Sequence, residues 1–367
     1  MMIKPLNVLA LMSSTSFESI KYALILTDGI DIYQTYLLGE MPIAEFLRSK
    51  IELILDKDIN NPDDKILIET VENDVTALIC DITKEIISSN PQKIDLIGIE
   101  GPTIAHNVQK KYTYQLAKGQ QIFQSFHIPT VSHFHNADLL NGGQGSPINA
   151  TYYQTLSADL EKPVLFINIG GISSLTYIGN LGEMISFDCG PGNAMLNDYM
   201  KKHAHVAMDY NGKMAALGTS DHKIVNGLMR HDFFSIYPPK ALNRVTFKDK
   251  EEHFEGLSIE NGAATIVDFI TEAIVQSVKL MLPEKPETTV ICGGGAMNPT
   301  IVRTLKQKLK QENITAFAAG PDIAPDDAAA IAFLAARRFY CLPITFPSTT
   351  GVFAPLTGGK IYDKDDK

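Results

Sequence analysis

Residues 184–187, a short apolar run, deliver Asp188 into Gly190, Pro191, Gly192 and Asn193. A carboxylate is thereby presented at a strand end, beside a helix start. Twenty residues earlier another apolar run, 164–169, ends in Gly170 and Gly171, with hydroxyls following at Ser173, Ser174 and Thr176. Small residues lack the bulk that keeps an anion from backbone N–H groups, so this spacing suits the cradling of phosphate. Two further small-residue turns stand elsewhere: Ser13, Ser14, Thr15 and Ser16 near the start, and Gly293, Gly294, Gly295 to Asn298 late in the chain. Each has a plainer use. A strand-end Asp before Gly-Pro also serves as a turn or cap residue, and glycines also close strand-to-helix corners.

The elements that must hold these turns follow from periodicity. Runs 6–12, 21–27 and 30–38 read as three consecutive strands, 42–55 and 71–89 as helices joined by a polar connection at 56–65, and 94–99 as a strand. A helix at 113–126 and a strand at 130–132 complete the first half. The loop Gly142-Gly143-Gln144-Gly145-Ser146-Pro147 breaks the pattern. Then the order repeats: strands at 164–169, 175–178 and 184–187, a helix at 262–282, a strand at 289–292, a helix at 299–311, a strand near 314–317 and a helix at 326–340. Three strands, helix, strand, helix occurring twice implies two similar α/β lobes that meet at their small-residue turns. We expect a first lobe of residues 1–134 with 352–367, a second of 135–351, and a central cleft between them. Residues 233–253, with paired prolines and mixed charge, read as a lid or binding loop.

Composition sets outer bounds. With 367 residues, 45% of them hydrophobic, the chain can pack two cores. Its 32 Lys and Arg against 42 Asp and Glu give a net charge of −10, which argues against nucleic acid as a partner. Cys80, Cys189, Cys292 and Cys341 are widely spaced without a CxxC pair, so neither a disulfide framework nor a zinc knuckle is indicated, and a cytoplasmic setting is expected. The opening MMIKPLNVLALMSSTS reads as a first strand and not a signal peptide, and no apolar run reaches the roughly 18 residues of a membrane span.

Five motifs in order carry a resemblance: the GGQGSP loop at 142–147, the NIGGI and FDCGPGN turns within 164–193, the PPK…R segment at 238–244, GGGAMN at 293–298 and PSTTG at 347–351. Together they resemble the anhydro-N-acetylmuramic acid kinases, over nearly the whole chain. That family lies in the acetate kinase, sugar kinase, Hsp70 and actin superfamily. The resemblance implies two ribonuclease-H-like lobes in an actin-like ATPase architecture. It also implies use of ATP, Mg2+ and water to open the 1,6-anhydro ring and phosphorylate O6 in cell-wall recycling, by a homodimer. Asp188 falls on the family's catalytic aspartate. Opening the intramolecular acetal needs a base for the attacking water while the departing O6 takes the γ-phosphoryl group, and one carboxylate suffices. The nucleotide set so implied is Ser13, Ser14, Thr15, Ser16, Glu18, Gly170, Gly171, Ser173, Gly190, Gly192, Asn193, Gly293, Gly294, Gly295 and Asn298. The sugar set is Thr103, His135, Gln144, Lys240 and Arg244, with Gln144 suited to the N-acetyl group. Mg2+ would be held by phosphates and water, so no protein metal site is expected.

The matches are incomplete. The family's SGTSxDGxD turn is here Ser13 to Lys21, with Ser14, Glu18 and Lys21 as replacements, Lys21 reading as a solvated side chain. HGQT is Glu100-Gly101-Pro102-Thr103, with His106 retained nearby. The arginine of FRxAD, expected on the sugar's carboxylate, is His135, which as a neutral imidazole cannot form a bidentate pair. Ala329 replaces a glutamate before the last helix. These changes keep two other readings in view: a non-catalytic nucleotide-binding scaffold, and a kinase for another sugar. His127, His133, His135 and Asp138 also raise a zinc site, but two histidines two apart on a strand are common by chance.

Overall fold

The computed structural model describes residues 3–13, 17–55, 57–243, 246–320 and 324–364. Along the chain come β1 (Leu6–Ser13), β2 (Ser19–Thr27), β3 (Ile32–Pro42), α1 (Glu45–Leu53), α2 (Pro62–Ser89), β4 (Leu96–Glu100), β5 (Thr103–Asn107), β6 (Tyr112–Gln115), α3 (Gly119–Phe126), β7 (Thr130–Ser132), α4 (Asn136–Leu140) and α5 (Ala150–Leu156). There follow β8 (Val164–Ile169), β9 (Ile172–Ile178), β10 (Met184–Pro191), α6 (Asn193–Ala204), α7 (Lys213–Leu217), α8 (His222–Leu228), α9 (Ile259–Met281), β11 (Thr288–Cys292), α10 (Pro299–Gln311), β12 (Ala316–Ala318), α11 (Asp327–Phe339) and β13 (Lys360–Tyr362).

The chain divides into two compact units. The first comprises Met1–Thr155, Asp326–Pro347 and Gly351–Lys367; the second comprises Leu156–Pro325 and Ser348–Thr350. Residues 135–155 and the last helix thus group with the first unit, so the chain leaves that unit later and returns to it earlier than the sequence suggests. The reason is packing: α11 lies against β1, β2 and β4, with the Ala335 methyl close over Gly98.

Within the first unit the sheet order is β13-β7-β4-β1-β2-β3. β1 to β3 form an antiparallel meander, and β4 and β7 add in parallel. Within the second the order is β10-β9-β8-β11-β12, again an antiparallel meander followed by two parallel strands. Numbering the strands inside each sheet gives 3-2-1-4-5 in the second unit and the same order extended by an antiparallel sixth strand, β13, in the first, the ribonuclease-H-like arrangement that the repeated pattern implied. Each sheet is closed by a long helix. In the first unit α2 buries Ile68, Val71, Val75, Ile79 and Ile82 in one cluster with Leu9, Leu11, Ile97 and Ile99. In the second, α9 buries Ile266, Ile270, Ala273 and Ile274 with Ile167, Leu175 and Phe187.

Two local expectations fail for identifiable reasons. The helix at 113–126 is instead β6 followed by α3: Tyr112, Thr113, Tyr114 and Gln115 alternate half-buried and buried and pair with β5. Aromatic and β-branched residues at a period of two favour that strand. The polar connection at 56–65 ends early because Asn61 caps α2 through a bond from the Asp63 amide, with Pro62 in the first turn.

Candidate functional site

In the second unit, Asp188 sits near the end of β10, where the register with β9 slips between Asp188 and Gly190, leaving Cys189 as the extra residue. Such a bulge re-aims the adjacent side chain. β10 is the edge of its sheet, and its outward amides are taken by loops: Ser186 donates to the Ser348 carbonyl (3.4 Å) and Asp188 to the Lys240 carbonyl (3.0 Å). The Leu242 amide returns a bond to Asp188 Oδ2 at 2.8 Å. No described residue bonds Oδ1. Asp188 is 5% exposed. Burial pushes its carboxyl up to about 7, against the Leu242 amide and the charge of Lys240, which both favour ionisation.

Lys240 is buried as well, its Nζ donating to the Phe233 carbonyl at 3.0 Å and lying 4.3 Å from the Phe233 ring centre. Burial lowers this ammonium to about 8, although Cys189 and Asp188 pull the other way. Burial thus moves a carboxyl and an amine on adjoining backbone toward neutrality from opposite sides, a perturbation of the kind that clusters at functional sites.

The small residues of the second unit gather at the carboxyl ends of β8 and β11. Gly170 and Gly171 turn β8 into β9, and their carbonyls accept from the amides of Gly192 (3.1 Å, Gly171), Asn193 (2.8 Å, Gly170) and Ala194 (3.3 Å, Gly171). Three amides at the start of α6 are therefore already engaged by protein. A Cβ on Gly192 would stand 2.4 Å from the Gly170 oxygen, so the corner closes only with glycine there. Gly293 has φ +78°, and a Cβ on it would meet Asn168 Oδ1 at 2.3 Å. Gly295 packs on Ile169 and Gly190 on Ala273. Ser173 is fully buried and donates to the Pro191 carbonyl at 2.9 Å, while Asn298 caps α10 through the Thr300 and Ile301 amides. Less crowded are Gly294, exposed, where a Cβ would stand 3.3 Å from Asn193 Nδ2, and half-buried Gly170, where it would stand 3.3 Å from the Ile172 carbonyl oxygen.

In the first unit, Glu100 ends β4 at 6% exposure. Its Oε1 accepts from His135 Nε2 at 2.7 Å, and His135 Nδ1 donates to the Gly145 carbonyl at 2.5 Å. Both ring nitrogens face acceptors, so His135 is an imidazolium and not the neutral ring expected from sequence. Burial alone would favour the neutral form. The charge and hydrogen bond of Glu100, the Gly145 carbonyl and Asp138 outweigh it and push His135 up to about 9. Asp138 Oδ1 accepts from the Gly145 amide at 2.6 Å, and His106 Nε2 donates to the Gln144 carbonyl at 3.0 Å. Burial, then the nearby His135 charge, lower His106 to about 4, so it works as a neutral ring. Thr103 Oγ1 accepts from Gln115 Nε2 at 3.3 Å. Thus His135 and Gln144 come together and Thr103 stands on the neighbouring hairpin. Glu100, His106 and Asp138, which sequence reasoning had not assigned to the site, hold them.

Ser13 closes β1, paired with Ile20, and the Glu18 carbonyl accepts from Ile43 at 2.8 Å. Ser14, Thr15, Ser16 and Arg244 lie outside the described residues. Lys21 is not a solvated lysine: it pairs with Asp327 at 3.0 Å, each side chain about one-third exposed, tying β2 to the start of α11. Ala329 is buried in α11. Among the described residues no group of three His, Cys, Asp or Glu gathers to hold a metal ion.

The model of the anhydro-N-acetylmuramic acid kinase family matches residues 6–364, nearly the whole chain. This chain belongs to that family. It is 35% identical over 371 residues to the anhydro-N-acetylmuramic acid kinase of Bradyrhizobium diazoefficiens, covering 97% of this chain and 99% of that protein. It is 33% identical to the one from Acidiphilium cryptum, covering 97% and 98%, and 32% identical to the one from Zymomonas mobilis, covering 96% and 99%. Among solved structures, the activator of the 2-hydroxyisocaproyl-CoA dehydratase from Clostridium difficile, with bound ADPNP, aligns at a TM-score of 0.42 and 13% identity, covering 90% of this chain and 94% of that one. As an anhydro-N-acetylmuramic acid kinase family member the chain is a sugar kinase, and the motif changes seen in sequence fall on ordered contacts: Lys21 on Asp327, Glu100 on His135.

Proposed function

We propose that this protein uses ATP and water to open the 1,6-anhydro ring of anhydro-N-acetylmuramic acid and phosphorylate its O6, with Asp188 as the base. The observation that carries the reading is the state of Asp188. One oxygen is fixed by the Leu242 amide, the other has no partner among the described residues, and the group titrates near neutrality. A general base works best at such a pKa. In the step, Asp188 Oδ1 takes a proton from water as its oxygen bonds to the anomeric carbon. The bond from that carbon to O6 breaks, O6 bonds to the γ-phosphorus, and ADP departs. The product is N-acetylmuramic acid 6-phosphate.

For the sugar we assign Thr103, Gln144, Lys240 and Arg244, with His135 serving it through the loop that carries Gln144, since both its ring nitrogens are engaged, and for the nucleotide the turn residues named from sequence. What supports the nucleotide assignment is the collection of glycines at the ends of β8 and β11, among which Gly294 is exposed and Gly170 half-buried. Gly192, Ser173 and Asn298 serve that corner from within, as packing and cap. Mg2+ would accompany the nucleotide. The described residues do not by themselves form a site for it, so no step is routed through it. The reading includes a cytoplasmic homodimer; no helix among the described residues is long and apolar enough to cross a membrane.

The test is direct: purified protein with Mg-ATP and the anhydro sugar, product followed by mass spectrometry in H2 18O beside Asp188→Asn. We expect a phosphorylated sugar carrying one 18O at the anomeric position. No product above the control would refute the kinase reading. ATP binding without turnover would then favour the scaffold, and turnover only with a different sugar would favour retargeting.

A further inference from the structure

The loop of residues 142–147 owes its shape to four side chains on three elements, three of which grip two consecutive peptide groups. His106 from β5 holds the Gln144 carbonyl, Asp138 from α4 the Gly145 amide, and His135 the Gly145 carbonyl. The Gly143 amide adds a bond to the Asp138 carbonyl at 2.9 Å. Glu100, the fourth side chain, does not touch the loop. It touches His135, and it has one oxygen, Oε2, buried without a hydrogen-bond partner. A buried carboxylate with a spare oxygen is costly unless its charge is used. Here the use is visible: the carboxylate keeps a proton on His135, and only a doubly protonated ring can donate to Glu100 and Gly145 at once.

We propose that Glu100 and His135 are positioning residues that lock Gln144 and Gly145 in place for the sugar, Glu100 acting only through the charge it maintains on His135. The clamp holds the loop while His135 is charged and releases it when the ring becomes neutral, because one nitrogen must then turn acceptor and face an acceptor. The charged and titratable groups facing His135 are Glu100 on β4, Asp138 on α4 and His106 on β5. Lys360 on β13 and Glu100 in turn face His133. His135 has its pKa raised in the folded protein, so the clamp is complete below its ordinary value and is lost as pH rises through about 9. The assignment of the loop to the sugar rests on the kinase reading; the clamp itself does not.

The experiment pairs imidazole NMR titration with steady-state kinetics on the full-length protein. In the wild type, His135 should remain protonated to about pH 9. In Glu100→Gln it should titrate at least about one unit lower, toward the ordinary value near 6.5. The basic limb of sugar kcat/KM that follows it should move by the same amount, while the acid limb due to Asp188 stays. His135→Arg, permanently charged, should lose the basic limb altogether. His135→Asn should raise sugar KM by about tenfold or more, the equivalent of one hydrogen bond from a charged donor, with the KM for ATP within about twofold. Amide exchange at Gly143 and Gly145 should be slow in the wild type and fast in His135→Asn. An unshifted His135 in Glu100→Gln, or an unchanged sugar KM in a folded His135→Asn, would overturn the proposal. If even the wild type phosphorylates no sugar, the kinase reading falls, and the titration and exchange data still decide the clamp.

Discussion

Replacing Asp188 by asparagine should abolish turnover and, at neutral pH, make the protein more stable. The second effect follows from the direction of the pKa shift. A carboxyl raised from 3.8 to about 7 binds its proton more tightly when folded, so stability is greatest below the unfolded pKa and falls as pH rises from about 4 to about 7. A shift of about three units corresponds to roughly 4 kcal/mol lost by pH 8 at 1.36 kcal/mol per unit. Asparagine has no charge to desolvate and keeps an oxygen for the Leu242 amide. Against this, its amide hydrogens need partners, and Lys240 loses the opposite charge that helps hold its proton. An unpaired buried donor costs about 1–3 kcal/mol, which leaves a net gain of roughly 1–3 kcal/mol at pH 8. For a unit of this size that is a rise of roughly 2–4 °C in melting temperature per kcal/mol. Calorimetric scans of wild type and variant from pH 4 to pH 8 measure it, beside kcat, which should fall by about 10²–10⁴. The two curves should cross between pH 4 and pH 8, the wild type being the more stable near pH 4 by about the 1–3 kcal/mol cost of the unpaired amide donor. A variant less stable at pH 8, or a difference independent of pH, would show that Asp188 is not held as a costly buried carboxylate.

Three further outcomes follow from the same geometry. Sugar kcat/KM should climb as pH rises through about 7, where Asp188 loses its proton, and fall again on the His135 limb near 9; an acid limb flat down to pH 5 would contradict a base with that pKa. Lys240→Met should move this limb upward by about half to one unit, because the charge that favours the ionised carboxyl is gone; the pH profile reads it, and no movement would mean the two groups do not sense each other. Gly192→Ala should destabilise by roughly 1–3 kcal/mol, since the new methyl meets the Gly170 oxygen and not a yielding side chain. Urea unfolding checks this, and a neutral result would place the corner incorrectly.

Sequence reasoning reads best what is local and repeated. Strands Val164–Ile169 and Thr130–Ser132 and helix Pro299–Gln311 have the bounds that their apolar periods imply, because a caps-and-period pattern is complete within the element. β6 escapes it, since a four-residue strand has too few periods to compete with the helix that follows, and its partner β5 supplies half its hydrogen bonds. The site divides in the same way. Asp188 is legible from its motif, but its burial is not, nor are the Lys240 and Leu242 contacts that oppose the resulting rise in pKa, which come from more than fifty residues on. Glu100 and His135 show the limit most clearly. Read singly, each is a departure from the expected motif: a glutamate where histidine stands, a histidine where arginine is expected. They are thirty-five residues apart in sequence and 2.7 Å apart in space. The glutamate supplies the charge that keeps the histidine protonated, so the two changes make one ion pair and are coupled, not independent losses. Counting motif losses one position at a time therefore overstates the decay of this site, and the weight of the scaffold alternative falls with it.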